Sequence, residues 1–220
     1  VQRLADCTFP AKFYKEGVGA LGIVVYSDFL CPWCYNVTVR MRRLEAEFGA
    51  QIEIDWRTYL LRPVRKEGRD PDRFRAYTQS WRIPAAEDDA GTFRTWEGAA
   101  PPPTHSTPAH IVAKAAAALG PDAGRRMHDR LLVAYFAENL DISATNNLRA
   151  LWLELELPAL AFPDLDDPER VQTVLDEHAE AVALGLTGVP AARLRDNPAF
   201  VTGALPYAMY QRWVERHLSN

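Results

Sequence analysis

Cys31 and Cys34, in the stretch Ser27-Asp28-Phe29-Leu30-Cys31-Pro32-Trp33-Cys34-Tyr35, are the residues best placed to do covalent chemistry. One thiolate attacks a disulfide sulfur, and a second thiol three positions on resolves the mixed disulfide that forms. Zinc binding is the competing use of such a pair. It needs four ligands, and the one remaining cysteine is Cys7, with no second Cys-x-x-Cys and no His-x3-His element. No metal site is expected. Two inert buried thiols are the other alternative.

The flanking sequence favours the redox reading. Gly22 to Tyr26 (GIVVY) is a β-branched strand, and Val37 to Phe48 repeats apolar residues at helical spacing until Gly49. The cysteines therefore sit at a helix N terminus, whose free N–H groups and positive dipole end favour the thiolate. Pro32 fits the first helical turn. Gln51 to Tyr59 alternates Ile52, Ile54 and Trp56 with charged residues, a half-buried strand that completes a βαβ unit.

From Pro63 to Gly185 the pattern is helical. Helices are expected from Pro71, from an N-cap at Thr107 followed by Pro108, near Ala123 to Glu138, near Leu148 to Leu157, and from Asp167-Pro168. Strands at Pro190 to Leu194 and Phe200 to Ala204 then precede a helix opened by Pro206. The order βαβ, helices, ββα implies an α/β protein with a thioredoxin-like part at 20–62 and 186–220. A helical insertion would occupy 63–185, and an N-terminal extension 1–19.

A chain of 220 residues with 48% hydrophobic and 10% aromatic content can bury a substantial core. Its net charge of -4 and scattered basic residues argue against nucleic acid and against a polybasic membrane contact. No apolar run approaches the roughly 20 residues of a membrane span, and the first residues lack the apolar core of a secretory signal. A cytoplasmic protein is expected.

Taken in order, SDFLCPWCY, WRTYLLRP (56–63), THSTPAHIVAKAA (104–116), LLVAYFAENLDIS (131–143), TGVPAARL (187–194) and VTGALPYAMYQRWVER resemble the DsbA-like branch of the thioredoxin superfamily, particularly its cytoplasmic FrnE-type members. The resemblance implies a thioredoxin fold carrying an all-helical insertion. It implies that Cys31 is the nucleophile, Cys34 the resolving thiol, and Pro190 after Val189 the cis-proline facing them. The implied activity is thiol-disulfide oxidoreduction on protein or small-molecule disulfides, with no cofactor beyond the redox-active pair and with glutathione as an electron partner or co-substrate. The same branch includes glutathione-dependent 2-hydroxychromene-2-carboxylate isomerases and kappa-class transferases. Those relatives typically carry serine at the first cysteine position. A non-catalytic binding or chaperone module on the same scaffold is a third class of function.

Further site residues follow from these positions. Trp33 is expected to be partly exposed beside the thiols as a docking surface, with Pro32 next to it, while Val189 and Pro190 would pair with an extended substrate. Asp28 would relay a proton or satisfy local backbone N–H groups. His105 would support the thiolate or stand solvated in its loop. His110 and His128 read as surface or packed residues, Arg57 as an ion-pair partner, and Phe29 and Tyr35 as walls of the dithiol. Cys7 is a free cysteine or a third redox thiol.

Overall fold

The structure is a computed structural model that describes residues 19–97 and 101–219. Cys7 and most of the N-terminal extension lie outside the described residues. The elements are β1 (Leu21–Ser27), α1 (Pro32–Phe48), β2 (Ile52–Thr58), α2 (Pro71–Thr78), α3 (Arg82–Ala85), α4 (Thr107–Ala118), α5 (Pro121–Phe136), α6 (Thr145–Glu154), α7 (Pro168–Ala183), β3 (Ala191–Leu194), β4 (Val201–Thr202) and α8 (Tyr207–Leu218). Every described helix or strand between β2 and β3 is helical. This is a thioredoxin fold with helices inserted after its first βαβ unit.

The sheet runs in the order β2-β1-β3-β4. β1 is central, parallel to β2 with Val25 opposite Trp56, and antiparallel to β3 with Val25 opposite Ala192. Both faces of β1 are covered, which accounts for an unbroken apolar run where a half-exposed strand would alternate. Ile23 and Val25 pack with Val37, Met41 and Leu44 of α1 and Tyr210 and Val214 of α8. Val24 and Tyr26 point the other way, toward Ala181, Leu186 and Ala191.

A larger core fills the helical part, with Trp81, Trp96, Tyr135, Phe136 and Trp152 fully or almost fully buried. Phe29, Leu30 and Tyr35 belong to this second core. The turn that carries the cysteines is therefore the seam between two cores, with β1 and α1 in one and its own apolar side chains in the other.

Two local expectations change. The strand expected at 200–204 shortens to Val201–Thr202, because Gly203 turns the chain at φ 82° and returns its N–H to Pro190 O at 2.8 Å. Thr107 lies inside the first turn of α4 instead of capping it. Ser106 takes the position before the helix, and its hydroxyl donates to Asp28.

Arg40 joins α1 to the segment after α3 and to the loop before α8. Its side chain is 1% exposed, and its guanidinium donates to Asp89 Oδ1 (2.9 and 2.7 Å), Glu87 Oε2 (2.9 Å), Ala204 O (3.0 Å) and Leu205 O (2.8 Å). Removing one partner of a buried ion pair leaves uncompensated charge and unpaired acceptors. Arg40→Leu is expected to lower the unfolding free energy by about 3–5 kcal/mol in urea titration. A loss below about 1 kcal/mol would show that this node does not hold the parts together.

Candidate dithiol site

Helix α1 begins on sulfur. Cys31 is its N-cap residue with extended backbone (φ -95°, ψ 113°), and its Sγ accepts the Cys34 N–H at 3.3 Å. The role that serine or aspartate oxygen usually fills is taken here by a sulfur. Pro32 occupies the first helical position, where its missing N–H costs no hydrogen bond. The turn is closed by the Cys31 N–H donating to Asp28 O at 3.0 Å.

Both cysteines are free thiols. Cys34 is wholly buried and Cys31 is 4% exposed, so both lie deeper than a surface nucleophile would. Burial pushes the Cys34 thiol well up, and a hydrogen bond with Cys31 and its charge add to that. Cys34 therefore holds its proton at neutral pH. The Ser27 hydroxyl and the Asp28 backbone act in the opposite direction, toward its thiolate. Trp33 and Pro32 are half-buried.

The loop before β3 closes over the thiols from the other side. The Val189-Pro190 peptide bond is cis, and the Cys31 thiol donates to Val189 O at 3.5 Å. Pro190 O accepts the Gly203 N–H, and Pro190 itself has no N–H to give. The structure thus brings Cys31, Cys34, Val189 and Pro190 to one place.

Asp28 does more than satisfy a local N–H. Its carboxylate is completely buried; Oδ1 accepts from Leu30 N at 2.7 Å, and Oδ2 accepts from Leu61 N at 2.6 Å and Ser106 Oγ at 2.9 Å. Burial raises its pKa to about 6 against the pull of these three hydrogen bonds and the more distant Arg62. Leu61 has no sequence signature, and the resemblance placed Ser106 with His105 as polar residues near the site but not its bond to Asp28, because both links are long-range.

His105 stays apart from this machinery. It is half-buried with Nδ1 2.8 Å from Thr104 Oγ1, and burial followed by the Arg65 charge lowers its pKa. It is a neutral imidazole at pH 7 and its hydrogen bond runs to threonine, not to sulfur. Of the expected walls of the dithiol, Tyr35 packs its ring on Phe93 and Phe136, and Phe29 packs against the rings of His110 and His128. Turn geometry sends these side chains into the helical core. Arg57 pairs with Asp55 at 2.9 Å and with Glu177 at 3.5 Å. Among the described residues no cluster of His, Cys, Asp or Glu is able to hold a metal ion.

A family profile described as DSBA-like thioredoxin domain matches residues 22–215. No curated protein sequence matches the chain. Among solved structures, the chain is similar to the cytosolic disulfide reductase DsbM from Pseudomonas aeruginosa, solved with glutathione. The TM-score is 0.68 at 19% identity, covering 91% of this chain and 100% of that one. A 2-hydroxychromene-2-carboxylate isomerase gives 0.62 at 16% identity, covering 90% and 96%. A periplasmic thioredoxin-like protein from Salmonella enterica serovar Typhimurium gives 0.57 at 14% identity, covering 92% and 89%.

The raised pKa of Asp28 fixes the sign of a pH effect. The folded chain holds this proton more tightly than the unfolded chain, so its stabilising contribution is complete below about pH 4 and is lost as pH rises through about 6. Asp28→Asn removes that titration. The wild type is expected to lose about 3 kcal/mol relative to the variant between pH 4 and pH 7, at 1.36 kcal/mol per pKa unit. Paired urea titrations with a pH-independent difference would refute this.

Proposed function

The chain belongs to the DSBA-like thioredoxin domain family, and from that premise we propose that it is a thiol-disulfide oxidoreductase in which Cys31 and Cys34 carry the electrons. The observation that supports this best is the Cys31 sulfur serving as the N-cap of α1 with the Val189 carbonyl beside it. A sulfur held at a helix N terminus is stabilised as the attacking anion, and its surroundings are built before any substrate arrives.

In the reducing direction, the Cys31 thiolate attacks one sulfur of a substrate disulfide. The substrate S–S bond breaks, a mixed disulfide forms on Cys31, and the other substrate sulfur leaves as a thiolate and takes a proton. Cys34 then loses its proton and attacks the Cys31 sulfur. The second substrate sulfur leaves as a thiolate and takes up the Cys34 proton, and the Cys31–Cys34 pair, now a disulfide, has given two electrons to the substrate. Oxidation of a substrate dithiol is the same sequence reversed. Because Cys34 holds its proton, this thiol must be deprotonated as it attacks, which keeps it from competing for the incoming substrate.

Glutathione is the proposed electron partner, and the cytosol the proposed compartment. Both are supported by the likeness to a cytosolic reductase solved with glutathione. Trp33, half-buried between the cysteines, is the proposed contact for apolar substrate groups. A second reading is a glutathione-dependent isomerase acting on a small molecule, and the similarity to 2-hydroxychromene-2-carboxylate isomerase favours it.

Equilibration with glutathione buffers separates the readings. A two-electron transition of the Cys31-Cys34 pair is expected between about -120 and -270 mV. Cys34→Ser is expected to accumulate a mixed disulfide with glutathione, visible by intact mass, and Cys31→Ser to accumulate none. If no Cys31-Cys34 disulfide forms at any glutathione ratio, the oxidoreductase reading fails. Isomerase activity that survives replacement of both cysteines would establish the second.

A further inference from the structure

Behind the dithiol turn lies a separate cavity of about 450 Å³, open to solvent on one side and bounded by β2, α4, the start of α5 and one side of α1. Neither cysteine lines it, nor does Val189 or Pro190. Ile54 and Trp56 face it, which explains why these residues are only half-buried although the strand alternation sends them inward. Its volume falls within the usual range of small-molecule sites, roughly 300–1,000 Å³.

The walls define what fits. Phe29, Trp56 and His128 present rings, with Trp56 and His128 at 4.2 Å and Phe29 and His128 at 5.0 Å between centroids. His110 also lines the cavity and is 6% exposed; its Nδ1 is 3.3 Å from Thr58 Oγ1, and its Nε2 is buried without a hydrogen-bond partner. An unpaired buried nitrogen costs free energy unless a ligand or a small shift of the ring pairs it.

Cations at the rim are already neutralised. Arg42 pairs with Asp129 and Glu45, Arg57 with Asp55 and Glu177, Lys114 with Glu177, and Arg125 with Asp122. Burial, with Lys114 beside His110 and Arg42 beside His128, keeps both imidazoles neutral at pH 7. No charge is left over to attract an anion.

We propose that this cavity is a binding site, distinct from the dithiol, for a flat, uncharged aromatic molecule carrying one hydroxyl-type hydrogen-bonding group. The rings stack on the ligand, and an imidazole takes its hydroxyl as donor or acceptor. The ligand would rest on Phe29, two residues before Cys31 in the same turn. The assignment is independent of the redox reading, since it rests on the cavity and its walls alone.

Calorimetric titration with 2-naphthol tests it. Saturable binding with a Kd below about 1 mM is expected for the wild type. Ala113→Trp, which fills the cavity from α4, is expected to weaken binding at least about tenfold while leaving the alkylation rate of Cys31 unchanged. Ala113→Leu intrudes less and carries the same test if the tryptophan variant does not fold. A tryptophan at the exposed Leu160 serves as control and should change nothing. His110→Phe, which keeps a ring and removes its nitrogens, is expected to weaken binding by about fivefold. Absence of saturable heat up to the solubility of the probe, or affinity that ignores the substitutions at Ala113, would overturn the proposal.

Discussion

A carboxylate sealed inside a protein must find all its hydrogen bonds in the chain around it, and Asp28 does so by reaching three separate segments. Leu30 N belongs to the turn itself, Leu61 N follows β2, and Ser106 Oγ precedes α4. Each oxygen has a donor at 2.7 Å or less, so the turn is held from two sides at the point where it delivers Cys31 to the helix. Without these donors the burial of Asp28 would be prohibitive, and with them its position is fixed. The turn that leads into Cys31 is thereby tied to the segment after β2 and to the start of α4.

Two thiols of the same chemical type then acquire different characters from small differences in position. Cys31 ends its strand-like approach as the N-cap and receives an N–H, while Cys34 enters the helix and is shut away from solvent. Desolvation and the neighbouring sulfur keep the second thiol protonated. Arg40 stabilises the same helix one turn further on, gripping Asp89 and Glu87 from the helical part and two carbonyls before α8. Helix α1 is therefore tied both to the helical part and to the segment before α8.

Local pattern made the strand, the Cys-x-x-Cys turn, α1, β2 and the run of helices readable from the sequence, because each is encoded by periodicity and caps over a short window. The proximity of Val189 and Pro190 to Cys31 came from resemblance, since spacing alone cannot bring residues so distant in sequence together. Asp28 was legible as a carboxylate that satisfies local backbone N–H groups, but its complete burial and its bonds to Leu61 and Ser106 were not. Phe29 and Tyr35 were read only by their nearness to the cysteines in sequence, whereas both rings pack in the core of the helical part, through long-range contacts that local spacing does not encode. The alternation of β2 was correct as a strand signal yet concealed the cavity. An inward apolar residue looks the same in sequence whether it meets another side chain or open space.

The central strand has a further consequence for how the protein is made. β1 pairs with β2 after a single helix, but its other neighbour, β3, follows the whole helical part. A chain emerging from the ribosome presents β1, the cysteines, α1 and β2 long before the Val189-Pro190 loop exists to cover them. Sheet completion waits for the late segment, since long-range pairing forms only after intervening chain has been ordered. During synthesis the nascent protein displays its two thiols without the loop that faces them, and the site closes only after the segment that follows α7 has been made.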